Sequence, residues 1–165
     1  HRDLHSFPTR RSSDLEQQKK LFTDLFFTND KDFLYVGIGT YGKKGELEIK
    51  RSIYNDRFFK DNSIDLKLPV QVNGENMEKY KRSFNGEAVV HNVSSKFGSP
   101  VIAVTFPFQR GADDAVSSIV VGYIRLNKIL KSFSKSGITD TFMINGEGDV
   151  LAHPDTKLEI GRAHV

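Results

Sequence analysis

Two β-rich apolar runs, at residues 99–108 and 117–126, constrain the fold of this chain more than any other feature. The first run is SPVIAVTFPF and the second is SSIVVGYIRL. Both are apolar on both faces, which is typical of central strands that are covered on two sides. The polar segment 109–114 between them predicts a hairpin connection. We therefore expect the two runs to pair as central strands of one antiparallel sheet.

Three more strands are predicted ahead of this hairpin, from short runs rich in β-branched and aromatic residues that are bounded by turn residues. They cover residues 33–41, 46–54 and 87–93. The turn 42–45 joins the first two, and a second turn at 94–98 leads into the central pair. The chain therefore predicts an antiparallel sheet of about five strands.

Helical spacing of apolar residues predicts helices at 16–28, 75–84 and 126–136. Residues 55–74 contain polar and apolar residues without a period, and we expect a long structured loop or short helices there. The resulting order of helices and strands indicates an α+β fold.

The first fifteen and last seven residues are expected not to be native. Residues 1–15 (HRDLHSFPTRRSSDL) and 159–165 (EIGRAHV) both read back, codon by codon, into adapters used in short-read sequencing. We therefore expect the native segment to be residues 16–158, open at both ends. The two end segments contain four arginines and three acidic residues, so the native segment has a net charge of +2 instead of +3. This small excess predicts no nucleic-acid partner.

Composition excludes several kinds of site. The chain has no cysteine, which excludes disulfides, thiol nucleophiles and cysteine-based metal centres. No apolar run approaches the length of a membrane-spanning helix. The two histidines of the native segment, His91 and His153, are isolated in the sequence, and a single histidine is weak evidence for a metal or a catalytic base. We predict no catalytic residue, no metal and no cofactor for this segment.

Several segments of the chain resemble Cache domains, which are extracytoplasmic sensor modules related to the PAS fold, and in particular the double-Cache type. They are the helix leading into residues 33–54, SPVIAVTFPF (99–108), SIVVGYIRL (118–126) and TFMINGEGDVLAHPD (141–155). The last of these is similar to the hairpin that opens the membrane-proximal half of such proteins. The resemblance implies a PAS-like Cache fold, with a long N-terminal helix packed on the antiparallel sheet. Residues 16–136 would form a membrane-distal sensor subdomain. Residues 137–158 would then be the start of a truncated membrane-proximal Cache subdomain.

The resemblance also implies a function. Cache domains bind a small molecule, often an amino acid or another carboxylate, and transmit the signal across the membrane through the long helix. We therefore expect a small-molecule-sensing input module in the periplasmic part of an inner-membrane, homodimeric signalling protein. Its output domain stays open among an adenylate or guanylate cyclase, a chemoreceptor signalling domain, a diguanylate cyclase and a histidine kinase. The segment itself is expected not to be an enzyme.

Four candidate ligand-binding residues follow from this resemblance. The segment NDRFF (55–59) is similar to the Arg-aromatic element of amino-acid-binding members, so Arg57 is expected to hold a carboxylate. Phe59 is expected to form a wall of the pocket or a lid of the core. Thr105 and Tyr123 lie on the two central strands and are expected to point polar groups into one cavity. Each has an ordinary alternative, as an exposed loop arginine, a core phenylalanine or plain sheet residues.

Two other functions stay open at this point. One is a cytoplasmic PAS-like domain that binds haem or flavin or mediates protein contacts, which a visible absorption spectrum would distinguish. The other is a small α+β hydrolase, which the absence of a nucleophile paired with a base makes the weakest alternative.

Overall fold

The computed structural model of the chain describes residues 30–135 and 142–153, with six further helical positions nearer the N-terminus: Glu16, Gln17, Lys20, Leu21, Thr23 and Phe27. Most of the helix predicted at 16–28, together with both end segments, lies outside the described residues. The chain forms two compact units, His1–Lys31 and Asp32–Val165. The whole sheet and the C-terminal hairpin belong to the second unit.

Five strands form one antiparallel sheet, as predicted. They are β1 (Phe33–Tyr41), β2 (Leu47–Tyr54), β3 (Val89–Asn92), β4 (Val101–Arg110) and β5 (Val116–Arg125). Their order across the sheet is β2-β1-β5-β4-β3. The predicted hairpin therefore supplies the central strand, β5, which pairs with β4 on one side and β1 on the other. The α+β class and the five-stranded antiparallel sheet are confirmed.

Five helices accompany the sheet in the described part of Asp32–Val165. They are α1 (Asp56–Asp61), α2 (Leu68–Glu75), α3 (Met77–Phe84), α4 (Ser94–Phe97) and α5 (Asn127–Lys135). None of the helices in the described part of the chain has both the length and the apolar character needed to cross a membrane.

The segment without a period, residues 55–74, folds as two short helices instead of a loop. Asn55 begins α1, because its side-chain oxygen accepts a hydrogen bond from the backbone N–H of Phe58 at 3.0 Å. Pro69 lies in the first turn of α2, where its fixed φ suits a helix and its missing N–H has no intrahelical acceptor. The cap at Asn55 and the proline in the first turn therefore indicate where these helices begin, whereas apolar periodicity does not.

The turn predicted at residues 94–98 is wrong in detail, because it contains the single-turn helix α4. Gly98 ends this helix in the left-handed region, with φ at 65°, and its N–H donates to the Ser94 carbonyl at 2.9 Å. A helix of four residues is too short to show helical spacing in the sequence.

The central strands bury both of their faces because successive side chains point to opposite sides of the sheet. On β4, Ala103 and Thr105 lie on the face that α1–α4 cover, which we call the helix face. Ile102 lies on the opposite face, where it packs in a separate apolar cluster with Leu151. Each covering helix contributes large side chains to the core of the helix face: Phe58, Phe59, Val72, Met77, Tyr80 and Phe97.

A small hairpin covers part of the opposite face. Its strands are β6 (Met143–Ile144) and β7 (Val150–Ala152). Asn92 Nδ2, on β3, donates to the carbonyl of Val150 at 2.7 Å, and Asn145 Nδ2 donates to the carbonyl of Val90 at 3.0 Å. Residues 142–153 are therefore attached to the sheet, while the subdomain boundary at residue 136 stays a prediction.

Candidate functional site

One row of side chains crosses all five strands on the helix face. Residues directly opposite each other in an antiparallel pair place their side chains on the same face. The row is given by the strand register and consists of Tyr54, Tyr35, Tyr123, Ala103 and His91. The Tyr35 ring lies 5.0 Å from that of Tyr54 and 5.3 Å from that of Tyr123, centroid to centroid. Aromatic and polar residues therefore form most of this cross-strand row, where a sheet core usually has aliphatic side chains.

Two helices place further polar groups above this row. Tyr123 Oη donates to Asn73 Oδ1, on α2, at 2.5 Å, and the Tyr80 and Tyr123 hydroxyl oxygens are 3.4 Å apart. The Tyr80 ring, on α3, lies 5.5 Å from the ring of His91. We call Tyr35, Asn73, Tyr80, His91 and Tyr123 the polar cluster.

Several polar atoms of the cluster have no hydrogen-bond partner among the described residues. They are Tyr35 Oη, Asn73 Nδ2 and both ring nitrogens of His91. Burial raises the pKa of the Tyr35 hydroxyl, and the Asn73 side chain is close enough to lower it by a smaller amount, but the two side chains make no hydrogen bond of normal geometry. Tyr35, Asn73 and His91 are 0%, 2% and 1% exposed, respectively. Such groups are uncommon in native proteins, and each costs roughly 1–3 kcal/mol relative to a paired one. The cluster is therefore expensive to keep unless something else pairs with these atoms.

A glycine in β1 makes room for the Tyr35 ring. A Cβ atom at Gly37 would overlap the Tyr35 hydroxyl and the adjoining ring atoms. Because glycine has no side chain, the ring can lie along the strand over this position. The close approach fixes the hydroxyl within the core of the helix face.

Burial determines the protonation of the cluster. It raises the pKa of Tyr35, Tyr80 and Tyr123 well above the ordinary value, so all three phenols keep their protons. Burial, with a smaller effect from Lys79, lowers the pKa of His91 to about 4. At neutral pH the imidazole is therefore uncharged, with one N–H donor and one nitrogen acceptor.

The buried polar residues of the described part of the chain are all uncharged at neutral pH. They are Asn55, Asn73, Ser83, His91, Ser94, Thr105 and Ser118, in addition to the tyrosines. The described residues also contain no group of three or more histidine, aspartate or glutamate side chains that could hold a metal ion. The cluster can thus offer neutral hydrogen bonds and aromatic surface.

The structure brings two of the four predicted site residues to the helix face of neighbouring strands. Tyr123 is a member of the polar cluster. Thr105 is fully buried, and its hydroxyl lies 2.7 Å from that of Ser83 on α3. These two hydroxyls pair with each other, so Thr105 borders the cluster with its own hydrogen bond already made.

The other two predicted residues lie on α1. Phe59 is buried in the core, with its ring 5.8 Å from that of Tyr54 at the end of the cross-sheet row. The Arg57 side chain is 87% exposed, and its Nε lies 3.6 Å from a carboxylate oxygen of Asp61. In this structure, the arginine extends into solvent on the outside of α1.

Sequence reasoning missed four members of the cluster. The sequence places Tyr80 only within the helix predicted at 75–84, and Tyr35 only within the strand predicted at 33–41. Asn73 lies in the segment without a period, and His91 is alone on a short strand. One signal was present: a tyrosine at an inward position on each of β1, α3 and β5 indicates a shared polar region, because buried phenols usually need partners.

Comparisons with known proteins give likenesses to solved structures but no family. No protein-family model matches the chain, and no curated protein matches it. Among solved structures, the chain is similar to the ligand-binding domain of the amino acid chemoreceptor PctC from Pseudomonas aeruginosa PAO1, in complex with GABA. The identity is 18% and the TM-score 0.45, over 80% of this chain and 54% of that chain. The chain therefore spans about half the length of the matched domain, and its own ligand has to be argued from its own side chains.

Proposed function

We propose that this chain contains a small-molecule-sensing input domain of the Cache type, with the polar cluster as its ligand-binding site. The observation that carries the proposal is the set of buried, unpaired polar atoms on Tyr35, Asn73 and His91. The resemblance of residues 99–108 and 141–155 to Cache domains supports the sensor class. The five-stranded antiparallel sheet, covered by short helices on one face, is compatible with it.

The energetics favour binding at this place. A ligand that pairs with an orphaned donor removes a penalty that the free protein already carries, so each new hydrogen bond contributes more than an exchange with bulk water would. The aromatic rings of Tyr35 and Tyr123 offer apolar contact beside these donors. A few directed polar groups in an aromatic surrounding are the usual composition of small-molecule sites.

The proposed role is binding and not catalysis. Phenols whose pKa is raised stay protonated, which makes them poor bases and poor nucleophiles. His91 has no described hydroxyl or carboxylate partner that would orient it as a general base. The cluster can hold a molecule, but none of its groups is activated to react with one.

Arg57 is proposed to contact a ligand only after its side chain has moved. Its guanidinium is exposed and close to Asp61, so it would have to leave this position to contact a ligand at the cluster. Phe59 and Thr105 are proposed to support the walls of the site. Phe59 packs beside Tyr54, and Thr105 fixes α3 to the sheet through Ser83.

The wider setting is also part of the proposal. We place the domain outside the cytoplasm, in a homodimeric inner-membrane parent whose bound ligand biases one of two domain geometries. A ligand can shift such an equilibrium only by its difference in affinity for the two states. The output domain stays open among the cyclase, chemoreceptor, diguanylate cyclase and kinase alternatives.

A ligand screen tests the binding role. The purified chain is heated with a library of amino acids, short carboxylates, amides, nucleobases and polyols, while its melting temperature is followed by fluorescence. We expect at least one class to raise the melting temperature in a saturable manner. Tyr35→Phe should remove this rise, because the variant keeps the ring and loses only the unpaired hydroxyl.

The matched control is Tyr41→Phe, which makes the same change at a half-exposed residue at the end of the same strand. We expect this variant to respond to ligand as the unmodified chain does. If no compound stabilises the protein, or if Tyr35→Phe responds as well as Tyr41→Phe, the polar cluster is not the binding site.

A further inference from the structure

We infer that the polar cluster takes an uncharged ligand that carries hydrogen-bond acceptors, such as a carboxamide or a nucleobase carbonyl, and not a carboxylate. This inference rests on the proposed function and narrows it. The resemblance to Cache domains alone predicts an amino acid or another carboxylate. The inference from the cluster and the expectation from the resemblance therefore predict opposite results in one experiment.

The first step concerns charge. The buried polar residues of the cluster are neutral. Besides burial, the charged groups that act on the pKa of His91 and Tyr123, namely Lys79, Asp149 and Glu75, each belong to an ion pair. These pairs are Lys79 with Asp149, at 4.0 Å, and Lys96 with Glu75, at 2.6 Å. A carboxylate in the cluster would thus be buried without a free cation from these described ion pairs. The desolvation of an unpaired ion is far more costly than that of a neutral polar group.

The second step concerns the direction of the hydrogen bonds. Asn73 Oδ1 already accepts the proton of the Tyr123 hydroxyl, which leaves the two N–H groups of Nδ2 unpaired. The Tyr35 hydroxyl and one ring nitrogen of the neutral His91 add one donor each, while the other ring nitrogen of His91 and the Tyr35 oxygen are acceptors. The four N–H and O–H donors therefore outnumber these two acceptor atoms. A carbonyl oxygen, which accepts two hydrogen bonds, fits this surplus.

The third step concerns shape. The rings of Tyr35 and Tyr123 are inclined by only 31° to each other. The Phe97 ring also packs on Tyr123, with a centroid distance of 5.5 Å. Because these rings are in contact with one another, a ligand at the polar groups would meet aromatic surface, which favours a flat or apolar body. An aromatic or short aliphatic amide combines the required acceptor with such a body.

Matched pairs of probes test the inference. The chain is titrated by calorimetry, at neutral pH, with propionamide and propionate, benzamide and benzoate, and nicotinamide and nicotinate. Within each pair the skeleton is the same and only the charge differs. We expect at least one amide to bind, and to bind at least about tenfold more tightly than its carboxylate. Tyr35→Phe should weaken amide binding by about fivefold to tenfold, whereas Tyr41→Phe should leave it unchanged.

Each alternative result has a distinct meaning. A carboxylate that binds as tightly as its amide overturns the neutral-ligand inference and leaves the sensing function in place. If none of the three amides binds, the inference is also overturned, and the broader screen then decides separately whether the cluster binds any small molecule. The melting temperature of Tyr35→Phe without ligand verifies folding, and it should not fall, because the hydroxyl that is removed has no partner.

Discussion

Tyr35, Asn73 and His91 each bury a polar atom that has no hydrogen-bond partner among the described residues. A core built for stability alone would place aliphatic side chains here, as β3 and β5 do two residues away at Val89 and Val121. At the scale of the residue, the chain gives up a few kcal/mol of stability, in order of magnitude, to keep donors inside the sheet. Such a cost is typical of a functional position.

The buried His91 makes the stability of the chain dependent on pH. Its pKa is about 4 in the folded chain against an ordinary value of 6.5, so the unfolded state binds more protons between these values. The free energy of unfolding therefore falls as the pH drops through this window, by about 3 kcal/mol in total. Lys79 strengthens the shift and Asp149 opposes it. Urea unfolding at pH 7, 5.5 and 4.5 should show this loss, and His91→Phe should remove most of it.

The control for this prediction is His153→Phe, the same substitution at a half-buried histidine beside Phe142. We expect this variant to keep the acid sensitivity of the unmodified chain. Equal pH dependence in His91→Phe and the unmodified chain would mean that carboxyl groups elsewhere, and not the buried imidazole, cause the loss.

At the scale of the element, the Asn145 side chain makes several of the hydrogen bonds that hold the β6–β7 hairpin. Asn145 Oδ1 accepts hydrogen bonds from the backbone N–H groups of Glu147 and Asp149, both at 2.9 Å. Its Nδ2 donates to the carbonyl of Val90 and to a carboxylate oxygen of Asp149, both at 3.0 Å. The same residue thus closes the turn and attaches the hairpin to β3.

We therefore expect Asn145→Ala to lower the free energy of unfolding by roughly 1–3 kcal/mol. Hydrogen exchange should become faster in residues 143–152 while β1 and β5 stay protected. Arg82→Ala is the control, because Arg82 contacts Glu147 through an exposed ion pair, and such pairs contribute little. If both variants destabilise the chain equally, or if the hairpin amides stay protected in Asn145→Ala, the hairpin is attached in another way.

The sheet could be predicted from the sequence because its strands follow clear local patterns. The two central runs are apolar on both faces, and α3 shows helical spacing through Met77, Tyr80 and Phe84. Residues 55–74 could not be assigned, since α1 and α2 depend on the cap at Asn55 and on packing, which no period reveals. Tertiary contacts outweigh local propensity in helices this short.

The candidate site could be predicted only in part, for a different reason. The inward position of Tyr123 and Thr105 can be predicted, because they lie on central strands whose side chains alternate between the two faces; their role in binding stays a prediction. The partners of Tyr123 come from α2 and α3, some fifty and forty residues earlier in the chain. Only the folded chain brings Asn73 and Tyr80 over the sheet, so no local pattern identifies them.

At the scale of the whole molecule, the second compact unit uses the two faces of its sheet differently. The helix face contains the polar cluster, and the opposite face contains the apolar contact with the hairpin. Helix α3 contacts both the polar cluster and the hairpin. Tyr80 belongs to the cluster, and Lys79 is paired with Asp149 of the hairpin turn. A ligand that moves α3 would therefore act on both faces.

The central claim, that the polar cluster binds a small molecule, is tested most directly by a high-resolution crystal structure with a compound that stabilises the chain. We predict density for the compound between α2, α3 and the sheet, with an acceptor within hydrogen-bond distance of Tyr35 Oη and Asn73 Nδ2. Density elsewhere on the protein, with the cluster closed on itself as in the free chain, would contradict the claim.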